Sequence, residues 1–377
     1  MFTTSAFRSN TARLVTAVIA LAAILAFPAA AQANPSIPGS TTADGLIWMP
    51  NYGNGDVMAF DPETLDVAAT IPSVGDHPLV IKMLPDQSRM FVGNFGPATW
   101  QVSVIDTATQ SVIKQIPTLG PAYAVSVLSK DGRYLYVPTG LSVVQVIDTQ
   151  SLDIVRTLPI ALPPAPAHIE LSPDGKVIYV LSAIGTATQY DAVTGAVLSP
   201  PIFLDGFVPG WGALSEDGNT LYAVNFFSGL TTIDVPSWRV TKTVQMPINA
   251  GPLSATLSPD GTRIWVCNYF DNEIVVIDTA TGGVVRNIKT EQAPVYVGFT
   301  PDSDTAYVSL VDGASGLPVQ LYLPVLPGLA EQANLSNAYL AELTGLDTTM
   351  AAYDTATGTV LRSNTVKGAL VAGVYPG

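Results

Sequence analysis

Short apolar runs bounded by polar turns recur along almost the whole chain. Seven of them, LIWM, MFVG, YLYV, VIYV, LYAV, IWVC and AYVS, are rich in Val, Ile, Tyr and Trp. Runs of this length, with β-branched and aromatic residues between turn signals, predict strands rather than helices. Each follows a tight turn, "SPDG" in its fullest form, whose Asp recurs as Asp44, Asp86, Asp131, Asp174, Asp217, Asp260 and Asp302, at steps of 42, 45, 43, 43, 43 and 42 residues. A second mark follows roughly 17 residues later at Asp61, Asp106, Asp148, Asp191, Asp234 and Asp278, typically as "VIDTATG". There a strand ends, the Asp carboxylate caps the turn, and Gly takes the left-handed position.

Each period therefore holds four short strands: one before the Asp-Gly turn, one after it, one ending in "ID", and one such as "VVRNIK" that leads into a Pro-containing loop. Seven four-stranded repeats of this length predict an all-β, seven-bladed propeller. A long array of β-sandwiches would leave open sheet edges, and the chain ends argue against it. The C-terminal "GALVAGVYPG" matches "GPLSATLSPDG" up to the Asp-Gly, while the first repeat begins at Ala43-Asp44-Gly45. The last strand is thus expected to complete the first blade and close the ring over residues 43–377.

Before the first repeat, residues 1–33 carry Arg8 and Arg13, no acid, the run "LVTAVIALAAILAF" and then "AAAQA". That order predicts a secretory signal removed after Ala33, with a flexible segment 34–42 and a secreted or periplasmic protein without a membrane span. Removing two arginines and no acid takes the formal charge from −14 to −16. So acidic a chain repels phosphate backbones and anionic lipid, which excludes nucleic acid as a partner. Cys267 is the single cysteine and ends an apolar strand, so it reads as a buried, inert thiol, and packing and strand pairing must hold the fold.

The second strands Trp48-Met49-Pro50-Asn51, Phe91-Val92-Gly93-Asn94, Tyr222-Ala223-Val224-Asn225 and Trp265-Val266-Cys267-Asn268 resemble the Tyr-Val-Thr-Asn motif of YVTN-family β-propeller repeats, and "VIDTATGGVV" is similar to that family's next strand. Tyr136-Val137-Pro138-Thr139, Tyr179-Val180-Leu181-Ser182 and Tyr307-Val308-Ser309-Leu310 depart from it at the Asn. The resemblance covers nearly the whole chain after the leader and implies a propeller. Related propellers are lactonases or parts of amine dehydrogenases, so it also brings in a lactonase-like hydrolase or a subunit of a redox enzyme. Fold analogy alone does not carry function across.

In a propeller the "PDG" and "DTATG" turns share one face, and the inter-blade loops and the loops after the Asn share the other. His77, Tyr123, His168, Trp211, Ser254 and Tyr296 stand at or near the starts of innermost strands, beside Pro78, Pro121, Pro166, Pro209, Pro252 and Pro294. On that face they either line a ligand-binding mouth or plug the channel. His168 and Glu170, two apart on one strand, point the same way as a candidate acid–base or metal pair, or as a hydrogen-bonded pair in the channel wall. Two histidines in the chain exclude a His-rich copper centre. Asn51, Asn94, Asn225 and Asn268 are expected to bond the backbone of their own turns.

The seventh period departs from the others. Asp302 and Asp354 lie 52 residues apart where Asp260 and Asp278 lie 18 apart, an insertion of about 34 residues over roughly Val311–Asp347. Within it Leu329, Ala333, Leu340 and Leu343 have helical spacing and Gly345 is a stop signal, predicting a short helix over the ligand face, as a lid or as a decoration. No nucleophile elbow, phosphate loop, zinc signature or calcium loop appears after the leader, so no metal or cofactor is expected. The reading is a monomeric scaffold that binds a protein, glycan or small molecule, with the hydrolase or redox subunit as the alternative.

Overall fold

The computed structural model describes residues 45–95, 99–120, 122, 126–139, 142–160, 166–182, 184–206, 209–247, 249–312 and 346–375. They form seven antiparallel sheets in chain order, six of four strands and a first sheet of three, and no helix occurs among the described residues. The sixth blade shows the plan: Pro252–Leu257, Arg263–Asn268, Glu273–Asp278 and Val284–Lys289 pair in sequence from the channel outward. Side chains alternate between the two faces of each blade, so the core lies between blades. Leu46, Trp48, Val57 and Ile71 of the first, for example, pack on Ile81, Met90, Val92 and Ile105 of the second. In the fourth blade the outer strand shrinks to Ile202–Phe203. Pro200 and Pro201, which have no N–H to give the ladder, precede it.

The two recurring Asp positions earn their places through turn geometry. In the first turn the carboxylate takes a bond from the hydroxyl two residues earlier and from the backbone N–H two residues later. Ser129 Oγ donates to Asp131 at 2.6 Å, Ser172 Oγ to Asp174 at 2.7 Å and Ser215 Oγ to Asp217 at 2.6 Å. In the second turn one Thr donates twice, so that Asp278 Oδ1 receives both Thr281 N and Thr281 Oγ1 at 2.9 Å. The following Gly282 has φ +60°, a conformation that costs glycine little.

The first sheet acquires its innermost strand from the C-terminus, as its sequence match implies. Trp48 N donates to Val374 O and Val374 N to Trp48 O, both at 2.9 Å, and Tyr52 N donates to Ala369 O at 2.8 Å. The same segment also reaches the second blade, where Ile81 N donates to Ala372 O at 3.1 Å. The expected insertion helix falls in residues 313–345, outside the described residues. Val311 and Asp347, expected inside the insertion, instead belong to the strands Thr305–Val311 and Asp347–Asp354.

One buried Asn, Asn51, acts as a latch between blades. Asn51 Nδ2 donates to Lys367 O at 3.3 Å and its Oδ1 accepts from Ala369 N at 3.1 Å, so it grips the end of the last blade instead of its own turn. A Cβ on Gly368 would meet Asn51 Oδ1 at 2.1 Å, and one on Gly75 would meet Asn94 Oδ1 at 2.1 Å. Asn51 and Asn94 thus sit against side-chain-free residues in the linker from the preceding blade, whereas Asn268 has no hydrogen-bond partner for either amide atom among the described residues. Asn94 does bond its own loop, donating to Gln101 O at 3.2 Å, while Asn225 donates to Thr231 Oγ1 at 2.9 Å.

Asp56 is 3 % exposed, its Oδ1 has no hydrogen-bond partner among the described residues, and burial pushes its pKa up to about 6 against the opposing bond from Asn51. Because this carboxyl is raised in the fold, its penalty is fully present above about pH 6 and disappears as pH falls toward its unfolded value of 3.8. The turn carboxylates behave oppositely. Hydrogen bonds from Ser172 and then Lys176 hold Asp174 down at about 2, so its stabilisation exists above the unfolded value and is lost as pH falls through the folded one. Melting temperature should therefore peak near pH 4–6. Asp56→Asn should stabilise the fold at pH 8 by about 1–3 kcal/mol and raise the melting temperature there, with the gain vanishing near pH 4. A gain that does not change with pH would show that the carboxyl is not the cause.

Candidate functional site at the mouth of the ring

The ladder between first and second strands skips one residue near its start in several blades. Pro252 pairs with Asn268 and Ser254 with Cys267, leaving Leu253 as a bulge, and Leu79 and Val295 occupy the same position elsewhere. The bulge turns the hydrophobic Leu79, Leu253 and Val295 to the mouth. There they meet Tyr52, Phe95, Trp211, Tyr269, Val311 and the start of the closing strand around a cavity of about 190 Å³ with an almost wholly apolar lining. Trp211 stands edge-on to Tyr296, ring centres 6.5 Å apart at 63°. Beyond it Phe226 and Phe227, Phe226 and Phe270, and Tyr269 and Phe270 touch edge to face at 5.2–5.5 Å.

Of the residues singled out from sequence, Trp211 lines this cavity and Tyr296 adjoins it. His77 lies at the rim, Nδ1 2.6 Å from Asp76 Oδ1 and its ring 4.6 Å from that of Tyr52. Ser254 is 1 % exposed and donates to Val295 O at 2.7 Å, a bond that joins the sixth blade to the seventh. Its role is structural. Tyr123 lies outside the described residues. His168 and Glu170 do pair, Nε2 to Oε1 at 3.0 Å, with the imidazole 1 % exposed and its Nδ1 without a partner among the described residues.

Sequence reasoning missed the rim and one charged residue. In all four Asn-ended strands the next residue is aromatic: Tyr52, Phe95, Phe226 and Tyr269. That dipeptide was a readable signal, since the Asn is buried and the residue after it turns onto the loop face. Lys82 was also missed. It pairs with Phe91 where Glu170 pairs with Tyr179 and Thr256 with Trp265, so the register puts Lys82, Glu170 and Thr256 at one level, two residues below the level of Val80, His168, Ser254 and Tyr296. Burial lowers the Lys82 pKa, with the Glu170 charge opposing the shift. Burial, with the Glu170 charge adding to it, pushes the Tyr296 hydroxyl up to about 12. Beneath an apolar mouth lies a level that carries the ionisable groups Lys82 and Glu170.

The opposite face carries a cleft of about 160 Å³ between the sixth and seventh blades, lined by turn residues. Its polar groups are already engaged: Ser258 Oγ donates to Asp260 at 2.5 Å and Arg263 pairs with Asp278 at 2.6 Å. Cys267 is fully buried, and burial pushes its thiol up to about 12, so it is unreactive where it stands. Among the described residues, no three His, Cys, Asp or Glu side chains gather as metal ligands.

No family model matches the chain, and no curated protein is detectably similar to it. Solved structures are similar in fold. A dihydro-heme d1 dehydrogenase, NirN, in complex with DHE aligns with TM-score 0.62 at 17 % identity, covering 91 % of this chain and 78 % of its own. Hydrazine synthase of Kuenenia stuttgartiensis aligns with TM-score 0.54 at 19 % identity, covering 78 % of this chain and 96 % of its own. A functionally unknown protein from Desulfotomaculum acetoxidans DSM 771 aligns with TM-score 0.66 at 14 % identity, covering 88 % and 98 %. At these identities the likeness establishes the seven-bladed propeller and nothing finer.

Proposed function

We infer that the chain is a binding protein for a small apolar molecule, one or two aromatic rings in size, held in the mouth of the propeller. The cavity walled by Tyr52, Leu79, Phe95, Trp211, Leu253, Tyr269 and Val295 carries this reading. Its size supports a single- or double-ring guest, since an apolar cavity of about 150 Å³ is enough to hold benzene. The scarcity of polar groups in the lining favours such a guest over a glycan, which would need hydrogen-bond partners there. Export from the cytoplasm is part of the proposal and rests on the leader-like residues 1–33. The hydrolase or redox-subunit alternative has less support, because neither His77 nor His168 is among the residues that line the cavity.

Calorimetric titration with indole tests the reading. Trp211→Ala should weaken binding by about 2 kcal/mol, roughly thirtyfold, as removal of an aromatic anchor in a concave site does. Its melting curve serves as the control for folding. Equal affinity in a folded variant would remove the mouth as the site.

A further inference from the structure

We propose that Lys82 is a carbonyl-capturing amine, and that the guest of the mouth is an aromatic aldehyde or ketone held over it as an imine. The proposal rests on the binding reading above and adds the chemical class of the guest. Three observations carry it. Lys82 has neither a hydrogen bond nor an ion pair among the described residues, whereas Lys114, Lys176, Lys289 and Lys367 all pair with carboxylates. It is only partly exposed, and lies two residues along the strand from Val80 of the mouth cluster, so the strand period sets it on the same side as Val80, one level below the mouth. The ionisable group set at its level of the ring is Glu170, with the Tyr296 hydroxyl one level above.

The chemistry needs those parts. A lysine in an apolar pocket keeps more of its nitrogen unprotonated than one in water, which activates it as a nucleophile. Burial acts in that direction on Lys82. The nitrogen adds to the carbonyl carbon to give a carbinolamine, and a C=N bond then replaces the C–O bond as water leaves. Both hydrogens of that water derive from the amine, and Glu170 is the group placed to relay them. No oxidant or reductant is consumed. The aromatic body of the guest would rest against Trp211 and Leu253 while its carbonyl points down the channel.

Reductive trapping tests this on the full chain. Benzaldehyde and sodium cyanoborohydride at pH 7, followed by digestion and mass spectrometry, should place the benzyl adduct on Lys82 about tenfold more than on any other of the seven lysines. Excess indole should suppress that adduct and leave surface labelling unchanged. Labelling confined to exposed lysines such as Lys114 and Lys176 would overturn the proposal. Benzyl alcohol, which cannot form an imine, separates the two readings. If it binds in calorimetry while Lys82 stays unlabelled, the mouth is a binding site and Lys82 is not a nucleophile. If it fails to bind and Lys82 stays unlabelled, both readings fall. Lys82→Met, checked for folding by its melting curve, should lose the adduct.

Discussion

Deletion of Ala369–Gly377 is expected to leave the protein aggregated or unfolded. The segment supplies the innermost strand of the first blade, so its loss exposes the paired edge of Ile47–Asn51, including the N–H groups of Trp48 and Tyr52. It also removes Leu370 from the packing between the last and first blades and Ala369 and Ala372 from the cluster at the mouth, all three 2 % exposed or less. Burial of Leu370 alone contributes about 2 kcal/mol. Adding the lost ladder bonds at about 1 kcal/mol each brings the total to at least 5 kcal/mol, comparable to the whole stability of many domains. An unpaired edge next to an apolar surface further invites association with other copies. Size-exclusion chromatography and thermal denaturation check this. A truncated chain that stays monomeric and melts with the parent would refute closure by this strand.

Gly298→Ala should destabilise the same junction through a single methyl group. An added Cβ at Gly298 would stand 1.9 Å from Tyr375 Cε2 and 2.0 Å from its Cδ2, distances no contact tolerates. Tyr375 in turn stacks on Tyr307 with ring centres 5.7 Å apart, and its hydroxyl lies 3.7 Å from Met49 Sδ. The ring can move only by giving up those contacts and pulling on the closing strand. Overpacking of this kind costs about 1–3 kcal/mol, and the anchored position of Tyr375 puts the expected loss at the upper end. Gly298 has no left-handed backbone, so strain does not contribute. The double variant Gly298→Ala with Tyr375→Ala should therefore be less destabilised than the sum of the single variants. Additive losses would mean that the clash is relieved elsewhere.

These expectations trace back to features of very different legibility. The blades were readable because strand alternation, the Asp turns and the left-handed glycines are local and repeat within each period. The closing strand was readable because "GALVAGVYPG" copies the start of a blade. The mouth was harder, since its lining takes one or two residues from each of several blades that meet only when the ring closes. Trp211 and Tyr296 stood out as aromatics beside the strand-opening prolines. Tyr52, Phe95, Phe226 and Tyr269 looked like ordinary loop residues until the buried Asn before each showed which way the chain turns. Lys82 was hidden inside "PLVIKML", which reads as an apolar strand with one polar position. Only the register sets it at the level of Glu170 on a strand two blades away. The sequence suggests Asn51 as a turn former because nothing in its own repeat tells of Gly368 and Ala369, the linker residues it meets.

The most direct test of the mouth as a binding site is fluorine NMR of protein carrying 5-fluorotryptophan, titrated with indole. The chain has five tryptophans, and Trp211→Phe assigns the resonance that matters. Trp48 and Trp265 are buried between blades, and Trp238 stacks on Tyr179 at the turn face, so none of the three can feel a guest in the mouth directly. The account predicts a saturable shift of the Trp211 resonance with those of Trp48, Trp238 and Trp265 unmoved. A Trp211 resonance that stays fixed while indole saturates the protein, or a shift centred on Trp238, would contradict it.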